Sequence, residues 1–173
     1  MRKHYPPPNS HQMRNVAMDI LVAVRSANPY PRLVDRGAEP AVVMAVAAML
    51  VRAAAQRNDF GAEYVLGQAR AGIVDGRQQG TTTYMEANIG VTVLQLANPH
   101  REDTRTIYDR AEAWSEMRGL LDSLDVIAAA VDLLHFIVHL DPNPEALLDA
   151  MALDIMEHDI ETPTDTTQHE EQS

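Results

Sequence analysis

The sequence predicts an all-α fold, a single-domain irregular bundle of six or seven helices. Apolar residues recur at helical spacing along most of the chain, and prolines punctuate it at intervals suited to helix boundaries. The one stretch with strand character, Ile89 to Val93, would have no partner strand to pair with. At 173 residues, of which 46% are hydrophobic and 23% charged, the chain can build a core that buries about 70% of its unfolded surface. The expected organisation is a flexible proline-rich arm at 1–10, a helical domain at 11–161 and a disordered acidic, polar tail at 162–173.

The arm contains three consecutive prolines, Pro6 to Pro8, which favour extended backbone. From Met13 onward, Val16, Ala17, Ile20, Leu21 and Val24 follow the i, i+3, i+4, i+7 series of an amphipathic helix. Asn28-Pro29 and Pro31 end it. Pro40 occupies a first-helical position, and Ala41 to about Gln56 is apolar on nearly all sides, which marks a central helix surrounded by others. Asp59 is placed to cap a third helix running to about Val74, and 75–82 reads as a loop. Thr83-x-x-Glu86 forms a capping box for a helix through Ala97. After Asn98-Pro99, a helix from about Thr104 carries Ile107, Ala111 and Trp114 on one face and stops near Gly119. Leu120 to Leu140 has the strongest helical pattern, closed by Asp141-Pro142. Asn143 caps the last helix, with Pro144 at its first position and Glu145 and Asp149 near its positive dipole end.

Composition excludes several function classes. There is no cysteine, so disulfides, thiolate metal sites and cysteine nucleophiles are closed, and a cytoplasmic location is expected. Prolines stand where a signal peptide needs its apolar stretch. The uncharged run Ala41 to Val51 is short of the roughly 20 residues that span a bilayer, so no membrane partner is expected. Basic residues are spread over several segments without interleaved aromatics, and the net charge is −11, which disfavours nucleic acid. No phosphate-binding glycine loop, dinucleotide fingerprint or serine elbow is present.

Charge is segregated along the chain. Arg118 is the last basic residue, and Gly119 to Ser173 carries thirteen acids and no Lys or Arg. The preceding 118 residues hold all 14 basic residues against 12 acids. Summed charge governs association more than fold. The expected function is therefore a non-enzymatic protein-interaction or assembly module. Its partner would be a basic protein surface, or a second copy of the chain, met first by Asp149, Asp154, Glu157, Asp159 and Glu161. The same charges have an internal use. The first 57 residues hold eight basic residues against three acids, so the two ends can attract each other within or between subunits.

The alternative function is a metal-dependent helical-bundle hydrolase acting on a phosphate ester or nucleotide. On the 120–140 helix, Asp125, Asp132, His135 and His139 share a sector of roughly 80° at 100° per residue, with Asp122 at its edge. Asp132, His135 and His139, at i, i+3 and i+7, suit zinc, magnesium or manganese if a neighbouring segment such as that around His158 adds a ligand. A solvated helix face would show the same stripe, and Phe136 stands where the zincin motif has its glutamate. A second acidic run, Asp109, Glu112 and Glu116, lacks a following Lys or Arg to hold phosphate. With no cofactor required by the first reading, a divalent ion belongs only to this alternative.

Overall fold

Pro40 opens the helix around which the others assemble. The computed structural model describes residues 10–25, 39–98, 106–118 and 123–157. These residues form seven α-helices and, among the described residues, no strand. The helices are α1 (Ser10–Arg25), α2 (Pro40–Arg57), α3 (Ala62–Gln79), α4 (Tyr84–Ala97), α5 (Ile107–Arg118), α6 (Ser123–His139) and α7 (Pro144–Glu157). The all-α bundle expected from the sequence is the fold observed. Residues 1–9, 26–38, 99–105, 119–122 and 158–173 lie outside the described residues, and with them the proline-rich arm, the polar tail, Asp122, His158, Asp159 and Glu161.

Pro40 sits in the first turn of α2, where its missing N–H removes a donor that would have no helical partner anyway. Twelve of the eighteen α2 residues are buried, from Ala41 to Ala55, and the helix packs against each of the other six. Among the described residues α2 alone is long and apolar enough to cross a bilayer. Its apolar surface is instead taken up by neighbouring helices. The principal partner is α6, whose Ile127, Leu134, Ile137 and Val138 are fully buried. α1 contributes Met13, Val16, Ala17 and Ile20, and α7 contributes Leu147, Leu148, Met151 and Ile155, to the same core.

Two limits of α3 differ from the expected ones. Asp59 does not cap α3; the turn is organised by buried Asn58, whose Oδ1 accepts from the Phe60 amide at 3.0 Å, and α3 begins after Gly61. Such a side-chain-to-backbone turn serves as well as a cap, and Asn competes for it equally. α3 also continues through Gln79 instead of stopping near Val74, so that most of the expected 75–82 loop is helical. The stop is Gly80, at φ 75°, a left-handed conformation that a β-carbon would penalise.

The other boundaries follow the local chemistry. Thr83 Oγ1 accepts from the Glu86 amide at 3.1 Å, and Asn143 Oδ1 accepts from the Ala146 amide at 3.3 Å. Thr106 Oγ1 accepts from the Asp109 amide at 3.0 Å, so α5 starts slightly after the expected Thr104. The strand-like segment Ile89 to Val93 is helical within α4. Its Thr92 hydroxyl donates to the Asn88 carbonyl one turn back at 2.8 Å, which satisfies a buried polar group inside the helix. A β-carbon on Gly90 would lie 2.9 Å from Ile73 Cδ1, so this glycine permits the close approach of α3 and α4.

Candidate functional site

α7 carries the described part of the acidic surface. Its buried residues Leu147, Leu148, Met151 and Ile155 lie on one side of the helical wheel, which turns Asp149, Leu153, Met156 and Glu157 outward. Two of the expected partner-binding acids are already paired within the chain. Asp149 Oδ1 accepts from Arg25 Nη2 at 2.6 Å, and Asp154 Oδ2 accepts from Arg57 Nη2 at 3.0 Å. Arg25 also reaches Glu145 Oε2 at 3.3 Å. The attraction between the basic N-terminal part and the acidic C-terminal part is therefore realised inside one chain. Glu157 is exposed, and no basic residue stands among residues 144–157.

The outward face of α7 is not uniformly polar. Leu153 is 54% exposed and Met156 is 66% exposed. An amphipathic helix that only solvates the bundle would place polar residues at those positions.

The α6 stripe holds two of its expected metal ligands side by side. The His135 and His139 rings stack with centroids 4.0 Å apart and planes inclined by 25°. His139 Nδ1 lies 2.8 Å from the His135 carbonyl oxygen, a contact that is a hydrogen bond in the Nδ1–H tautomer. Asp125 is half-buried nearer the start of the helix. Among the described residues, no three His, Asp or Glu side chains are grouped so as to hold a metal ion. In the second acidic run, Glu112 accepts from the Tyr108 hydroxyl at 2.9 Å, and that bond, with burial first, pushes the Tyr108 phenol above its ordinary range.

Asp132, one turn before His135 on α6, lines a pocket that neither histidine lines. The pocket is half-open, of about 150 Å³, and lies between α3, α4 and α6; Gly72, Ile73, Thr82, Glu86, Gly90 and Phe136, among others, line it together with Asp132. Removal from water raises the Asp132 carboxyl above the usual carboxylate range, and His135 draws it partly back. The Phe136 ring lies over Gly72, where an added β-carbon would stand 3.2 Å from its Cζ.

The chain matches no family model, no curated protein and no solved structure.

Sequence reading alone did not assemble the cavity. Glu86 reads as the reciprocal half of the Thr83 capping box, yet the only capping bond formed is from its amide to Thr83 Oγ1. Its carboxylate is left for the cavity. Phe136 reads as the residue that spoils a zinc motif. The available signal was the coincidence of small residues on two successive helices, which permits close packing but does not name the third helix.

Proposed function

We propose that this chain is a non-enzymatic protein-interaction module that engages a basic partner surface through the outward face of α7. The observation that carries this reading is the exposure of Leu153 and Met156 between Asp149 and Glu157. Apolar side chains surrounded by acids match a partner patch with an apolar centre and a basic rim. The apolar part would supply affinity, and the acids would supply steering and orientation. Buried Leu147, Leu148, Met151 and Ile155 hold α7 on the bundle, and the exposed ion pairs to Arg25 and Arg57 lie at its edges, so this face is presented on a packed element. Asp159 and Glu161 continue the acidic sequence beyond the helix and would extend the contact.

The test is capture from a lysate at low salt, followed by reconstitution with the purified captured protein. Expected is a dissociation constant that weakens at least tenfold between roughly 0.05 and 0.5 M salt, where screening removes exposed charge attraction. It should also weaken at least tenfold in Leu153→Ser/Met156→Ser. Both side chains are exposed, so the double variant should keep its melting temperature. Binding that ignores both salt and the double substitution overturns the proposal. Self-association with the same dependences would identify the partner as a second copy.

A further inference from the structure

From the cavity between α3, α4 and α6 we infer a binding site for a small organic cation, an alkylammonium ion with a compact apolar body. Its lining combines three features that together select that class. The first is negative charge that no ion pair neutralises, with His135 on the next turn of α6 acting on Asp132 from one side. Glu86 and Asp132 come from two different helices and both line the cavity, and neither carboxylate forms an ion pair among the described residues. The second is an aromatic ring. Phe136 stands one turn beyond Asp132 on α6 and also lines the cavity, and an aromatic ring attracts a cation over its face within about 6 Å. The third is an apolar, closely approached wall of Ala69, Gly72, Ile73, Gly90 and Leu133, with the Thr82 side chain as a polar neighbour.

Other ligand classes fit less well. An anion would meet two carboxylates. A neutral apolar molecule would leave both carboxylates uncompensated beside it. A divalent metal ion takes six or more oxygen ligands or a closed set of nitrogen and sulfur donors, whereas most of this wall is carbon. The size is also selective. A half-open pocket of about 150 Å³ seats a group of about four to seven heavy atoms, with any further part of the ligand reaching solvent. Small sites of this kind are mostly apolar with a few placed polar groups, which describes this lining.

The experiment is a titration of the full chain, labelled with nitrogen-15, with tetramethylammonium and n-butylammonium chlorides. n-Butanol serves as the neutral counterpart and sodium chloride as the ionic control. Expected is saturable binding with a low-millimolar dissociation constant for the cations. Amide shifts should be concentrated at Gly72, Gly90 and the 129–136 turns of α6, with at least tenfold weaker binding of n-butanol. Asp132→Asn and Glu86→Gln, both of unchanged shape, should each weaken the cations at least fivefold without altering n-butanol binding. Phe136→Leu should weaken tetramethylammonium most. The inference is overturned if the cations fail to saturate, if n-butanol binds equally well, or if both carboxamide variants, folded by circular dichroism, bind as wild type. Shifts confined to α7 would also overturn it, since they would report screening of the acidic surface alone.

Discussion

Arg25 on the first described helix donates from Nη2 to Asp149 Oδ1 on the last, at 2.6 Å, while its Nη1 reaches Glu145 at 3.3 Å. Residues 120 or more positions apart are thereby joined, and the charge segregation visible along the chain becomes a closure of the bundle. The pairs are exposed: the Asp149 side chain is 70% and the Glu145 side chain 73% accessible. Exposed pairs contribute little to stability, so the closure owes more to Leu147, Leu148, Met151 and Ile155 beneath it. A double-mutant cycle between Arg25→Ala and Asp149→Ala should give a coupling of about 0.5 kcal/mol that shrinks in high salt. A coupling several times larger, insensitive to salt, would contradict this assignment.

Arg52 does heavier structural work than either exposed arginine. From α2 it donates through Nε to the Ala97 carbonyl at 3.0 Å, and through Nη2 to Leu96 at 3.3 Å and Asn98 at 3.4 Å. Arg110 adds a bond to the Gln95 carbonyl at 3.3 Å. The carbonyls at the C-terminal end of α4 thus accept from guanidinium groups that also complement the negative end of its dipole, Gln95 accepting in addition from the Asn98 amide at 3.3 Å. Burial lowers the Arg52 pKa from its ordinary value, yet an arginine stays charged. Arg52→Met, which keeps the aliphatic stem, should cost about 2 to 3 kcal/mol. For a chain of this size the melting temperature would fall by roughly 5 to 10 °C. Arg52→Lys should recover less than half, because a point charge cannot reproduce the fork. A loss below about 0.5 kcal/mol in Arg52→Met would remove the capping role.

The sequence made the helices legible wherever local chemistry alone sets them. Pro40, Thr83 and Asn143 each act at one helix start through their own backbone or side chain, and each stands where its residue type predicts. The two misplaced limits share a cause. Asn58 prevailed over Asp59, and the helix ran past Val74 to stop at Gly80, and both outcomes depend on which residue the bundle buries or leaves at a turn. The candidate sites were legible by composition on α7 and illegible at the cavity. Glu86 and Asp132 are 46 residues apart, and no periodicity links α4 to α6. Their proximity follows from Gly72 and Gly90 permitting close helix contact, a tertiary fact with only a faint local trace. The pairing of Arg25 with Asp149 lies between these cases, because segregated charge foretold attraction between the ends without naming the residues.

Asp132 supplies a stability prediction independent of any ligand. Its carboxyl is raised above the ordinary carboxylate value, first by removal from water at the cavity rim, and His135 opposes that shift. The unfolded chain releases this proton near pH ~4, whereas the folded chain retains it to higher pH. Between the two values the folded state binds more protons than the unfolded state, so stability falls as pH rises through the window. Above it the ionised carboxylate imposes its full penalty. Asp132→Asn cannot ionise and should therefore melt higher than wild type at neutral pH. Because Asp132 is exposed on its outer side, solvent screening limits the gain to below about 1 kcal/mol, or roughly 3 °C. Below the ordinary carboxylate range the two proteins should melt together. Since His135 opposes the upward shift of Asp132, the gain from Asp132→Asn should grow in a His135→Ala background. Melting curves of the four proteins from pH 3 to pH 8 check this, and a neutral-pH melting temperature for Asp132→Asn at or below wild type would show that the rim does not desolvate the carboxyl.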